Sequence, residues 1–179
     1  FELCRRNVER NALGQRVRVF HGDLRDRGVS DRAGVGFDLV TGTPPYFPPG
    51  SAVDADDEQR AYARIEYRGG VEAYVEAGAL RLAPHGSLVL CGDARAHHRV
   101  ATSAAEHGFG VIARCEVVAR EGEPALFAVW TLRHGLAREL RVETILLRDR
   151  QGRRTPDADR LRVFCGFAPS GDTAPLSVS

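Results

Sequence analysis

DLVTGTPPYFPPG, residues 38–50, is the stretch on which the reading of this chain turns. A short and largely apolar run over residues 37–41 has the character of a strand buried on both faces of a parallel sheet. It gives way at once to Thr43, Pro44, Pro45, Tyr46 and Phe47, and then to two more prolines. Proline fixes φ and removes the N–H donor, so this segment neither extends a ladder nor starts a helix. In a doubly wound sheet, ligands bind beyond the carboxyl ends of the strands. A rigid loop at such an end presents carbonyls with no partner in the ladder, suited to accept from an amino group. The tyrosine beside them offers a flat face for a planar base.

Working outward, residues 1–13 carry Cys4, Val8 and Ala12 at helical spacing, with Gly14 as the expected stop. Residues 17–20 read as a strand ending at His21-Gly22-Asp23, and residues 24–36 as a polar linker. Beyond the proline-rich loop, the acidic group from Asp54 to Glu58 suits a helix N-terminus, where negative charge meets the macrodipole. Residues 70–82 predict a longer helix stopped at Pro84-His85-Gly86, and residues 87–91 a third strand. A helix over residues 94–107 follows, closed by Gly108, then strands over 111–118 and 126–132 joined by a turn. Residues 143–147 read as one more strand, and residues 156–167 as a turn with a short helix or extended piece. Alternating helix and strand, with two adjacent strands late in the chain, predicts an α/β sheet that is mostly parallel and ends in an antiparallel hairpin.

Composition bounds the function. The 179 residues make one domain with material for a sizeable core, and a formal net charge of +1 creates no global field calling for nucleic acid or membrane. All 25 basic residues are arginine, and methionine is absent. Cys4, Cys91, Cys115 and Cys165 are far apart with no Cys-x-x-Cys pair, which reads as reduced thiols in a cytoplasmic protein. No apolar run approaches membrane-spanning length.

TPPY after a short apolar strand resembles the Asn-Pro-Pro-Tyr motif of the amino-directed, S-adenosyl-L-methionine-dependent class I methyltransferases. The similarity runs over most of the chain to about Gly166: RRNVERNAL followed by VRVFHGDL, then ARIE, GSLVLC, the late hairpin and ILLRD. These segments echo the bacterial enzymes that methylate N6 of an adenine in the anticodon loop of valine tRNA. The resemblance implies a Rossmann-like sheet, with residues 1–169 as the C-terminal part of the domain and 170–179 as a frayed tail. It implies S-adenosylmethionine as cofactor and RNA, in particular tRNA, as substrate. In the family the Asn side chain and the first proline's carbonyl accept the amine hydrogens while the Tyr ring holds the base. Carried over, Thr43 takes the Asn position, Pro44 and Pro45 form the turn with Pro44 supplying the carbonyl, Tyr46 stacks, and Phe47 lines the pocket. Asp23 matches the acid that meets the cofactor's adenine amine, with Leu24 beside it.

Two departures accompany the match. Thr43 stands where the family has Asn, Asp or Ser, and its hydroxyl is shorter than an amide. The Gly-rich loop and ribose-binding acid of this fold have no counterpart, since Glu2 sits too close to Asn7 and looks helical. The chain is therefore expected to be a fragment that binds the cofactor weakly by itself. The alternatives are a non-catalytic RNA- or protein-binding module, methylation of a protein glutamine or small-molecule amine, and a Rossmann-type oxidoreductase, which leaves TPPY unexplained. His97 and His98 are adjacent on a helix and point about 100° apart, so they cannot share a metal and are expected at a solvent-facing helix start. The arginines at 148, 150, 153 and 154 are a candidate RNA contact or a solvated face.

Overall fold

The computed structural model describes residues 1–51, 58–135 and 140–168. The expected acidic start at residues 54–57 and the expected frayed tail at residues 170–179 lie outside the described residues. In chain order the elements are α1 (Glu2–Arg10), α2 (Arg27–Ala33), β1 (Phe37–Gly42), α3 (Glu58–Arg64), α4 (Val71–Ala79) and β2 (Leu82–Gly92). A 3-10 turn, Ala94–Ala96, leads into α5 (His97–Glu106), β3 (Phe109–Val118), β4 (Ala125–His134), β5 (Arg141–Leu146) and α6 (Pro156–Phe164).

The strands form a single sheet in the order β1-β2-β4-β3-β5. β1 pairs parallel with β2, β4 pairs antiparallel with both β2 and β3, and β5 pairs parallel with β3. Four strands therefore run in one direction and β4 alone is reversed. This is the α/β sheet expected from the sequence, with the hairpin strand inserted rather than terminal and β5 at the far edge.

The core lies on the face of the sheet under α4 and α5. Leu88 and Leu90 of β2, and Ala128, Trp130 and Leu132 of β4, recur with the strand period of two and are fully buried. Val71, Val75, Val100 and Ala104 close over them from the two helices. Gly78 lets α4 approach, since a Cβ there would lie 2.8 Å from Leu88. Trp130 fills the middle and donates its indole Nε1–H to Nδ1 of His97 at 3.2 Å. His97 thus faces the core tryptophan rather than solvent, correcting the expectation for the helix start.

Several boundaries differ from the sequence reading for identifiable reasons. Residues 17–20 form no strand, because no described strand lies alongside to complete a ladder, and Val17 and Phe20 stay partly exposed. β1 is correspondingly an edge strand rather than one buried on both faces, and Leu39 is 58% exposed. α1 ends at Arg10, before the predicted Gly14 stop, because Ala12 adopts a left-handed φ of 54°. α2 falls within the expected linker, with the Asp26 carboxylate accepting from Gly28 N–H and Gly34 at its C-cap.

Pro84-His85-Gly86 does not stop a helix. α4 ends at Ala79, and β2 already pairs at Leu82 with Phe37 before the register jumps to Ser87 opposite Leu39. The proline sits in that irregularity, where no ladder donor is required. Gly86 is needed there, since a Cβ would come within 2.7 Å of the Phe37 carbonyl oxygen.

Candidate active site at the carboxyl edge of the sheet

β1 and β2 run parallel, so their carboxyl ends, Gly42 and Gly92, open on the same edge of the sheet. Thr43 leaves β1 exposed, Pro44 is buried, and Pro45, Tyr46 and Phe47 are half-buried. The loop is fastened from behind. The N–H groups of Tyr46 and Phe47 both donate to the Arg64 carbonyl, at 3.1 and 3.0 Å, and Glu66 N–H donates to the Phe47 carbonyl at 2.9 Å. Phe47 and Ile65 thereby form a one-residue parallel bridge just beyond the end of α3. The segment that could not continue β1's ladder satisfies its backbone against a different partner.

Behind that bridge stands an ionic clamp. Arg99 of α5 donates to both carboxylate oxygens of Glu66, at 2.9 and 2.8 Å, and to both of Glu72, each at 2.7 Å. The Glu66 side chain is only 9% exposed. It lies against Gly70, where a Cβ would fall 2.5 Å from the carboxyl carbon. The hydrogen bond from Arg99 holds the Glu72 carboxyl below its ordinary value, against the opposing effect of burial.

Tyr46 turns toward the end of β2, its hydroxyl 3.1 Å from Sγ of Cys91. Burial, the Cys91 contact and the nearby Asp93 charge push the phenol upward, so it is neutral at physiological pH. Asp93 caps the 3-10 turn by accepting from Arg95 N–H at 2.9 Å. The Arg95 side chain and this N–H keep its carboxyl below the ordinary value.

On the other side of β1, a cleft of ≈ 330 Å³ follows the strand's unpaired edge. Gly22 and Leu24 form one wall, Val40 and Gly42 the floor, and Tyr74 and Gly78 of α4 the other wall. Its size falls in the range of small-ligand sites. Gly42 is required, because a Cβ would meet the Tyr74 ring at 2.5 Å. Asp23 flanks this wall. Its carboxylate accepts from Arg25 N and Nε, each at 2.9 Å, and from Nη2 at 2.6 Å. The Arg25 side chain, then its N–H, lower the carboxyl to about 2. Tyr74 is pushed upward by burial first and by the Asp23 charge second.

The structure thus brings Gly22, Leu24 and the Gly42 end of β1 around one cleft, while Asp23, between Gly22 and Leu24 in the chain, does not line it. Thr43, Pro44, Pro45, Tyr46 and Phe47 do not line it; they continue from its end across to β2. Sequence reasoning missed Tyr74, which at helical spacing reads as plain core, and the Glu66–Arg99 clamp, whose partners are 33 residues apart. It also passed over Cys91 and Asp93, although an acid directly after a buried strand was a readable signal. Among the described residues no group of His, Cys, Asp or Glu side chains is arranged to hold a metal ion, and no helix is long and apolar enough to cross a membrane. All four cysteines are free.

Comparison with protein-family models and with curated proteins returns no match. Among solved structures, a predicted O-methyltransferase from Agrobacterium tumefaciens superposes with a TM-score of 0.63 at 18% identity, covering 98% of this chain and 76% of that one. The chain shares the fold of that protein. A second structure, the M1.HpyAVI–SAM complex, matches 64% of this chain and 54% of that one at 15% identity, with a TM-score of 0.39, too remote to support an argument.

Proposed function

We propose that the chain belongs to an S-adenosylmethionine-dependent enzyme that methylates an exocyclic amine, with N6 of an adenine in RNA, in particular tRNA, as the target. The observation that carries this reading is the Thr43–Phe47 loop. It is held rigid at the carboxyl end of β1 by three backbone hydrogen bonds on a methyltransferase-type sheet, with an aromatic ring beside it.

The cleft beside β1 fits an adenosine in character. Its lining at Leu24, Val40 and Tyr74 is apolar, and the ionised carboxylate of Asp23 belongs to the residue next to Leu24. In this reading Leu24 and Tyr74 enclose the adenine, and the Asp23 carboxylate accepts from its amine with lone pairs that Arg25 leaves free. Bound S-adenosylmethionine supplies an electrophilic methyl group on a sulfonium centre. The work left to the chain is orientation. An adenine N6 lone pair is delocalised into the ring, and two acceptors on its hydrogens restore nucleophilic character. The Thr43 hydroxyl and the Pro44 carbonyl are those acceptors, and the Tyr46 ring fixes the plane of the base. Positioning of this kind supplies much of the rate in a reaction with little acid–base chemistry. The neutral, Cys91-anchored phenol gives Tyr46 one preferred ring orientation.

A second reading rests on Thr43 itself. Its β-branched side chain reaches less far than an amide, and a protein that had lost catalysis would keep the fold as an RNA- or protein-binding module. Full-length protein incubated with S-adenosylmethionine and bulk tRNA, followed by mass spectrometry of the nucleosides, separates the two. N6-methyladenosine above the control supports the enzyme. Cofactor-independent RNA binding without any methylated product supports the module.

A further inference from the structure

A second cleft, of ≈ 340 Å³, lies beside β5, the edge strand farthest from β1, between the turn after it and helix α6. Its walls include Arg148, Arg154 and Arg162, with Leu161, Cys165 and Phe167 completing an apolar floor. The turn is stiff. Asp149 accepts from the Arg153 N–H at 2.9 Å and from its Nε at 2.8 Å, so that pair is neutralised. Arg148 and Arg154 are bridged directly opposite each other, which sets both side chains on one face.

Arg148 donates to the Gly152 carbonyl at 2.7 Å, and Arg162 donates to the Ala168 carbonyl at 3.2 and 3.1 Å. Among the described residues neither guanidinium is paired with a carboxylate. Arg162 also lies over the Phe167 ring at 5.6 Å, and that ring is 61% exposed. Cationic walls with an exposed, arginine-backed aromatic suit a phosphate joined to a base.

β5 runs parallel to β3, and β3 runs in the direction of β1 and β2 through the reversed β4. The arginine turn therefore leaves the same carboxyl edge of the sheet as Thr43–Phe47. Four strand spacings of ~4.8 Å separate β1 from β5, roughly 19 Å, a span of on the order of six stacked nucleotides at ~3.4 Å per phosphate.

We infer that this cleft is a second contact for the polynucleotide substrate, taking the phosphate backbone and one base of a single-stranded segment several nucleotides from the methylated adenine. The inference rests on the RNA reading of the site, and its test separates the two. Full-length protein is titrated into a fluorescein-labelled twelve-nucleotide single-stranded RNA across 50–200 mM salt, followed by anisotropy, with thermal melting as a check on folding. The Arg148→Gln/Arg162→Gln variant is expected to keep the wild-type melting temperature and lose tenfold or more in affinity. The magnitude of its log–log salt slope should fall by about 1.4, at ~0.7 per lost phosphate contact. Arg148→Lys/Arg162→Lys should restore the slope.

Wild-type affinity and slope in the Gln variant would overturn the inference while leaving methylation untouched. Arginine-dependent RNA binding without methylated product would uphold the inference and defeat the catalytic reading. A wild-type protein that binds a polyaspartate peptide but no RNA would overturn it in favour of an acidic protein partner.

Discussion

Removing Arg99 should both destabilise the protein and loosen the Thr43–Phe47 loop. In Arg99→Ala the outer half of the clamp is cheap, because Glu72 is 47% exposed and such pairs contribute ~0.2–1 kcal/mol. The inner half is not. Glu66 is 9% exposed and would lose two charge-assisted hydrogen bonds, and stranding a fully buried partner costs ~3–5 kcal/mol. Arg99 is itself 35% exposed, so water reaches the vacated space and reduces that cost to about 2 kcal/mol. With the Glu72 share the expected loss is ~2–3 kcal/mol, or about 5–10 °C in melting temperature for a chain of this size. Arg99→Lys keeps the charge without the fork and should fall between. The Glu72 carboxyl is lowered from 4.5, so its share of the stability is present above that pH and disappears as pH falls through the lowered value. Arg99→Ala should flatten this acid limb. Methyl transfer should drop by roughly tenfold, in kcat more than in cofactor affinity, because Glu66 anchors the Phe47 carbonyl. Differential scanning fluorimetry from pH 3 to 7, with a labelled-methyl assay, measures all of this. A variant melting within 1 °C of wild type would refute the claim that the clamp holds the loop.

Other substitutions probe neighbouring contacts. Gly42→Ala places a Cβ 2.5 Å from the Tyr74 ring and should cost ~1–3 kcal/mol by overpacking, visible in urea denaturation. Tyr46→Ala should weaken RNA binding by ~1–3 kcal/mol in anisotropy titrations, the range for loss of a stacked base. Tyr46→Phe, which removes only the hydroxyl facing Cys91, should be mild; equal losses would argue against stacking. His97 is lowered from 6.5 by burial first and the Arg114 charge next. Its contribution is present above that pH and is lost as pH falls through the lowered value. His97→Gln, which can still accept from Trp130, should show a smaller drop in melting temperature between pH 7.5 and 5.

Strand and helix identities were readable where periodicity and length agreed. The alternation in SLVLC and in the 126–132 run shows directly as the buried face of β2 and β4. The loop at residues 43–47 was legible because prolines announce a segment that leaves the ladder. What escaped was set by distant partners. Whether residues 17–20 become a strand depends on a neighbour, not on their own apolar pattern. Pro84 breaks a helix on paper, but β2's register irregularity tolerates it. The Asp26 cap and Gly34 stop of α2 were present in the sequence but bracket only seven residues with a weak apolar face. The clamp of Arg99 on Glu66 and Glu72 joins α5 to residues near α4, a juxtaposition that exists only once the helices pack.

The most direct test of the central claim is methyl transfer from labelled S-adenosylmethionine into bulk tRNA by the full-length protein, compared with Thr43→Asn and Tyr46→Ala. An oriented acceptor contact of this kind contributes on the order of 10²–10³ in rate. Label should be recovered as N6-methyladenosine, more from Thr43→Asn than from wild type, and little from Tyr46→Ala. Label found only on ribose oxygen, or an unchanged rate in Tyr46→Ala, would contradict it.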